Sequence, residues 1–119
     1  MDLASKLQIK AGQTVAVVGA PEGLDLTLPG GSTAVPDPAR ADAVIAFVRL
    51  SAEVPDGARP AIDAGRDDRL AWVAYPKAGS LGTDLNRDRL RDVLLTLGVQ
   101  PVRQVAIDEV WSALRVRPS

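Results

Sequence analysis

The chain contains no cysteine and no histidine among its 119 residues. The absence of cysteine excludes disulfides and thiolate nucleophiles, and the absence of both residues excludes zinc sites of the usual ligand set. The absence of histidine also removes every histidine-based general base. Few classes of enzyme chemistry remain.

Aromatic residues and an excess of positive charge are also lacking. The only aromatic residues are Phe47, Trp72, Tyr75 and Trp111, and 14 basic residues face 15 acidic ones, for a net charge of −1. Proteins that bind nucleic acids use a basic field and often stack bases on aromatic side chains. The composition therefore predicts no nucleic-acid partner.

Long hydrophobic runs are missing as well. No apolar run approaches the roughly 20 residues that a membrane-spanning helix needs, and residues 1–11 hold no apolar block of the kind found in signal peptides. The composition, 46% hydrophobic and 24% charged, is that of a folded domain. We expect a soluble, cytoplasmic protein with no membrane partner, and one domain over 1–119 because no linker divides the chain.

Apolar segments bounded by proline, glycine and charged residues predict the strands. They are Thr14–Val18, Ala43–Val48, Leu70–Tyr75, Val99–Ile107 and Val110–Val116, with Ser32–Val35 as a further short edge strand. Helices are predicted before Ala11–Gly12, at Ala61–Arg66 and at Asp84–Leu97. The alternation predicts an α/β domain with a mostly parallel five- or six-stranded sheet, and the short join predicts an antiparallel C-terminal strand pair.

The predicted connections also suggest how the sheet is covered. Right-handed crossovers would place the Ala61–Arg66 and Asp84–Leu97 helices on one face. The other face would then be covered only by the opening helix and the irregular segment 24–31. Because parallel sheets are normally covered on both faces, this predicts a homodimer with twofold symmetry.

A ligand site is predicted at the carboxyl edge of the sheet, where open α/β sheets usually bind ligands. The Leu70–Tyr75 strand leads through a glycine-bearing loop to a predicted helix cap at Thr83–Asp84, and the first strand ends in the Gly19–Gly23 turn. The candidate ligand-binding residues are Gly19, Glu22, Gly23, Asp37, Tyr75 and Lys77. No catalytic residue and no metal ligand is predicted.

Each candidate has two interpretations. The turn from Gly19 could line a nucleotide-like ligand with Asp37 on a ribose, or its residues could serve the turn alone. Lys77 and the helix start could hold an anion, but Asp84 in the first turn would repel a phosphate.

Three further features are weighed in the same way. Asp108 and Glu109 are adjacent and therefore fit a solvated turn better than an acid–base pair. Trp72 and Trp111 are predicted to be core residues. Tyr75 fits either the core or the site.

Several motifs spread over nearly the whole chain point to a known family. They are Ile9–Gln13, Ala20–Gly23, Trp72–Val73 with Pro76–Lys77, Thr83–Asp84 and Val105–Ser112. In these the chain resembles a family of small bacterial proteins with a domain of unknown function. The resemblance implies a Rossmann-like fold similar to the core of S-adenosylmethionine-dependent methyltransferases, and it implies no established activity.

The chain also departs from working methyltransferases. Gly19–Gly23 holds two glycines of the usual three, and Phe47–Arg49 is not followed by the Asn/Asp-Pro-Pro-aromatic motif of many amino-directed enzymes. We therefore expect a non-catalytic binding, regulatory or interaction module with no cofactor and an unidentified small-molecule ligand. The alternative is a minimal enzyme that binds S-adenosylmethionine or a nucleotide.

Overall fold

A computed structural model of the protein describes residues 3–21 and 33–119. Its strands are β1 (Thr14–Val18), β2 (Thr33–Ala34), β3 (Ala43–Phe47), β4 (Leu70–Pro76), β5 (Val99–Ala106) and β6 (Trp111–Pro118). Its α-helices are α1 (Leu3–Lys6), α2 (Val54–Gly57), α3 (Arg59–Arg66) and α4 (Arg87–Thr96). Two 3-10 turns, Pro38–Arg40 and Ser51–Glu53, precede β3 and α2.

The six strands form one mixed sheet in the order β2-β1-β3-β4-β6-β5. The pairs from β2 to β4 are parallel, whereas β6 runs antiparallel to both β4 and β5. The predicted antiparallel C-terminal pair is confirmed. Its second strand lies between β4 and β5, so the hairpin of β5 and β6 is joined to the parallel part of the sheet through β6 alone.

The two longer helices, α3 and α4, pack on the same face of the sheet, as predicted. Their apolar side chains, among them Ile62, Leu90 and Leu94, share one cluster with Val73 of β4 and Leu114 of β6. The polar side chains of α4 face away from this cluster, which is why its charged sequence still forms a packed helix.

The opposite face is covered more fully than the sequence suggested. Leu7 and Ile9, which follow α1, pack on Ile45, Trp72 and neighbouring side chains of the central strands. The Trp72 indole donates a hydrogen bond to the carbonyl oxygen of Leu7 at 2.9 Å. Ile45 and Trp72 are both 0% exposed. The predicted segment 24–31 lies outside the described residues.

The prediction of a Rossmann-like domain is wrong, although the α/β class and the six strands are present. A doubly wound sheet carries helices on both faces. Here the sheet is small, β1 and β3 have five residues each and β2 has two. Among residues 3–21 and 33–119, the helices longer than one turn, α3 and α4, both lie on one face. The architecture is a small α/β domain with a mixed sheet.

The hairpin of β5 and β6 is closed by a side chain. Asp108 accepts hydrogen bonds from the backbone N–H groups of Val110 and Trp111, at 2.8 and 2.7 Å. A short aspartate side chain is well suited to such a turn. The register is interrupted by an irregularity between Pro101 and Arg103 on the edge strand β5. The solvated-turn interpretation of Asp108 thus fits the structure.

In the described part of the chain, no helix has both the length and the apolar character required to cross a membrane. The longest helix there, α4, has ten residues and a charged outer surface. The structure thus gives no sign of a membrane-spanning helix within those residues.

Gly65 allows α3 to approach the sheet closely. A methyl group at this position would lie 2.8 Å from Cγ2 of Val116 and 3.3 Å from Cγ1 of Val99. Gly65→Ala should therefore destabilise the protein by about 1–2 kcal/mol, because overpacking outweighs the gain of roughly 1 kcal/mol in helix propensity. Urea unfolding measures the effect.

Two controls define the cause of that loss. Arg66→Ala, at the exposed neighbouring position, should leave the urea midpoint almost unchanged. In a Val116→Ala background, Gly65→Ala should cost less, because the closest contact has been removed. A Gly65→Ala protein as stable as the parent would contradict this account of the packing.

Candidate small-molecule site

A cleft opens at the carboxyl end of β4, between the start of α4 and the hairpin of β5 and β6. Its volume is about 510 Å³. We call it the hairpin cleft, and it is lined by Tyr75, Lys77, Ala78, Asn86, Arg87, Gln104, Val105, Ala106 and Ser112. This is the size range of small-molecule sites. Two predicted residues, Tyr75 and Lys77, are brought together in it.

Two hydroxyl groups from neighbouring strands meet in the hairpin cleft. Tyr75 and Ser112 are directly opposite each other in the β4–β6 ladder. Because opposite residues in a ladder share one face of the sheet, both side chains point to the side on which α4 lies. The residues are 3% and 4% exposed, respectively.

The hydrogen bonding of these two hydroxyls is incomplete. The Tyr75 oxygen accepts a hydrogen bond from the Gln104 side-chain amide at 3.3 Å, which leaves its own proton free to be donated. The Ser112 hydroxyl has no partner within the described residues, where Ser112 is also the single buried polar residue. An unpaired hydroxyl that opens into a cleft can donate a hydrogen bond to a ligand atom placed there.

The protonation state of Tyr75 suits it to be a donor. Burial raises the pKa of its hydroxyl above the usual value, while the positive charge of Arg87 acts in the opposite direction. At neutral pH the group therefore keeps its proton. It is a hydrogen-bond donor and not an anion.

Two cations line the same cleft. The Lys77 ammonium donates to the backbone carbonyl of Asp108 at 2.8 Å, which ties it to the hairpin turn and leaves two of its N–H groups free. The guanidinium of Arg87, at the first position of α4, has neither an ion pair nor a hydrogen bond within the described residues. The lining contains no carboxylate.

The start of α4 differs from the prediction. The helix begins at Arg87, and the Asn86 side chain caps it by accepting the Arg89 N–H at 2.8 Å. The predicted cap at Thr83–Asp84 is wrong, because Asp84 has a tertiary partner. Its carboxylate accepts the backbone N–H of Ser51 at 2.8 Å and the Ser51 hydroxyl. The hydrogen bond from the Ser51 hydroxyl and, to a smaller extent, that from the Ser51 backbone lower the pKa of the Asp84 carboxyl below its usual value.

The loop from β4 to α4 is fixed to the loop after β3. The Thr83 hydroxyl donates to the carbonyl oxygen of Arg49, and the Arg49 guanidinium donates to the carbonyl of Leu81 at 3.5 Å. Leu81 and its neighbour Gly82 have φ values of +52° and +66°. Arg49 thus contributes both its guanidinium and its carbonyl group to holding this loop.

The remaining predicted residues do not line the hairpin cleft. Gly19 ends β1 with φ +71°, and a Cβ there would lie 3.1 Å from the carbonyl oxygen of Phe47. The turn and this close approach are sufficient reasons for a glycine. Glu22 and Gly23 lie outside the described residues.

Asp37 is placed away from Gly19. The strand before it, β2, pairs with β1 only at Thr14 and Val15, after which the chain turns towards the start of β3. Asp37 caps the Pro38–Arg40 turn by accepting the Ala39 N–H at 3.0 Å. Arg69, which immediately precedes β4, donates to the carbonyl oxygens within and just after that turn. The turn thus lies near the amino ends of the strands, and Gly19 lies at a carboxyl end.

Residues that the sequence did not indicate supply seven of the nine lining residues of the cleft. Asn86 and Arg87 fall within the predicted helix Asp84–Leu97, and Gln104 and Ser112 fall within the two predicted C-terminal strands. One feature of the sequence could have indicated Ser112: it is a polar residue on the otherwise apolar strand face of Val110, Leu114 and Val116.

Within the described ranges, no group of three or more acidic residues is arranged to hold a metal ion.

Two comparisons with known proteins identify no relative of this chain. A scan against protein-family models finds no match for this chain, and a search of the curated proteins finds none. The resemblance to the family of small bacterial proteins therefore stays a prediction. The case for a function must come from the hairpin cleft.

Proposed function

We propose that the protein is a non-catalytic small-molecule-binding module whose ligand occupies the hairpin cleft. The observation that carries this proposal is the Ser112 hydroxyl, which has no partner within the described residues and opens into a cleft of about 510 Å³. Because this hydroxyl opens into the cleft, a ligand atom there can accept its proton. The free proton of the Tyr75 hydroxyl offers a second such contact.

The chemistry of the lining favours binding over catalysis. A serine nucleophile needs an adjacent base, and Ser112 makes no hydrogen bond to one within the described residues. The Tyr75 hydroxyl is kept protonated by burial, and Lys77 is tied to a backbone carbonyl. These groups can orient a ligand without reacting with it.

Three wider expectations stay predictions. A cytoplasmic location and the absence of a nucleic-acid partner come from composition alone. The homodimer was argued from apolar side chains left uncovered on the sheet face opposite α3 and α4. On that face Ile45 and Trp72 are already fully buried within one chain, which removes much of the reason for a partner.

A thermal-shift screen followed by amide chemical-shift mapping tests the proposed function. The screen should include neutral metabolites, adenosyl compounds and nucleotides, since a ligand at 100 times its Kd adds about 2.7 kcal/mol of stability. We expect at least one class to raise the melting temperature. Its largest amide shifts should fall on Tyr75, Gln104 and Ser112.

A matched pair of variants locates the binding. Ala106 is exposed on β5 and lines the cleft, so Ala106→Trp should fill the cleft and abolish binding without disturbing the core. Val102 is 49% exposed on the same strand and does not line the cleft, so Val102→Trp should bind as the parent does. Equal binding by both variants, or no stabilising compound in the screen, would refute the proposal.

A further inference from the structure

The hairpin cleft is lined by two basic side chains and by no carboxylate. The basic side chains are those of Lys77 and Arg87, and the guanidinium has no ion pair within the part of the chain that the structure describes. A second cavity, of about 460 Å³ between α3 and the end of α4, mixes the signs: it is lined by Asp56 as well as by Arg59 and Arg66. The one-signed lining is therefore a property of the hairpin cleft and not of every cavity.

The start of α4 adds to this field. The first N–H groups of a helix have no partner within the helix, and they carry a partial positive charge. In α4 the Asn86 side chain takes the N–H of Arg89. The N–H groups of Arg87 and Asp88 remain, at the end of the helix whose residues Asn86 and Arg87 line the cleft.

The acidic side chains near this helix start are engaged elsewhere. Asp84 is bound by Ser51, and it also faces Arg89 at 3.8 Å. Asp88 lies 3.7 Å from Arg91 on the outer surface of α4. Neither residue lines the cleft. The repulsion by Asp84 that the sequence suggested is thus reduced, because its carboxylate is directed to another loop.

We infer that the hairpin cleft recognises the phosphate group of a small phosphomonoester. The inference rests on the proposed function and names the ligand class of the same site. A phosphomonoester carries a charge of about −1.5 to −2 at pH 7, which matches the two cations. Its oxygens accept several hydrogen bonds, and the unpartnered Ser112 hydroxyl, the Tyr75 hydroxyl and the guanidinium of Arg87 supply donors.

The test is a nuclear magnetic resonance titration of the full chain with four probes: inorganic phosphate, AMP, adenosine and acetate. AMP and adenosine differ only in the phosphate group, and acetate tests whether any small carboxylate suffices. We expect saturable shifts at Tyr75, Arg87 and Ser112 with phosphate and AMP. Adenosine and acetate should bind at least about tenfold more weakly, because they lack the charge-assisted hydrogen bonds of a phosphate.

Two variants that each remove one positive charge test whether Arg87 is the side chain that binds the phosphate. Arg87→Gln should raise the Kd for AMP at least about tenfold through the loss of a charged hydrogen-bond donor. Arg66→Gln also removes one exposed arginine that lacks an ion pair, but from outside the hairpin cleft, and it should leave the Kd unchanged. Circular dichroism spectra should show that both variants are folded.

The outcomes separate this inference from the proposed function. Adenosine or acetate binding in the cleft as tightly as AMP, or Arg87→Gln binding AMP normally, would overturn the phosphate inference and leave the binding module standing. The absence of saturable phosphate and AMP binding up to about 10 mM would also overturn it. The proposed function itself fails if the thermal-shift screen yields no compound whose amide shifts map to the cleft, or if Ala106→Trp binds such a compound as well as Val102→Trp does.

Discussion

Replacing Trp72 by alanine should lower the free energy of unfolding by about 3–5 kcal/mol, the range found when large buried aromatic side chains are deleted. Trp72 is 0% exposed and lies at the centre of the sheet face that Leu7 and Ile9 cover. Its indole N–H also donates to the Leu7 carbonyl, which would lose this partner. Urea denaturation followed by circular dichroism measures the loss.

A second variant separates packing from hydrogen bonding at this position. Trp72→Phe keeps an aromatic ring in the core but removes the donor to Leu7, so it should cost less, about 1–3 kcal/mol. Amide hydrogen exchange should also quicken at Leu7 and Ile9, because the contact that holds this segment on the sheet is lost. If Trp72→Ala does not fold, Trp72→Phe decides the matter, and unchanged stability of Trp72→Phe would contradict the account.

Trp111→Ala should destabilise the protein by a similar amount, about 3–5 kcal/mol. Trp111 is 8% exposed, and its ring meets that of Phe47 edge to face, with centroids 5.2 Å apart and an interplanar angle of 75°. The contact joins β6 to β3, which are separated in the sheet by β4. Loss of the ring therefore weakens the packing of the hairpin on the central strands.

A double-mutant cycle tests the partner of Trp111. Phe47→Leu keeps an apolar side chain while removing the second ring, and the coupling between the two sites should be about 0.5–1.5 kcal/mol. Val102→Ala, on the exposed part of the hairpin, serves as a control and should change the urea midpoint little. A Trp111→Ala protein with the parent's midpoint would show that the ring contributes nothing to stability.

Much of the secondary structure could be predicted because local pattern and tertiary environment agree. The β-branched run Thr14–Val18 and the apolar run at Leu70 are strands with nearly the predicted bounds. Pro60 lies in the first turn of α3, one residue after its start. In these segments the residues that favour the local structure are also those that the core requires.

The errors occur where distant residues compete with local signals. Thr83–Asp84 has the chemistry of a helix cap, but Asp84 binds Ser51, 33 residues earlier in the chain, and Asn86 caps α4. Asp37 follows a predicted strand, yet β2 has only two residues and the chain turns away after it. Neither outcome can be read from neighbouring residues.

For the same reason, only two of the nine residues that line the candidate site could be predicted. Tyr75 and Lys77 follow from the general rule that ligands bind at the carboxyl ends of strands. Ser112 enters the site only because β6 pairs with β4, which sets it opposite Tyr75. A strand pair can be inferred from a short join, but the place of that pair in the sheet depends on contacts between residues far apart in the chain.

The position of β6 has a consequence for the order in which the protein can fold. Since β5 is made before β6 but reaches the sheet only through it, β5 must wait for a later segment before it can pair. During synthesis, the edge of β4 therefore stays open until the ribosome has released β6. Unpaired strand edges are where partly folded chains aggregate. We therefore expect the insertion of β6, whose first residue is Trp111, to be the step at which a partly folded chain is most prone to aggregate.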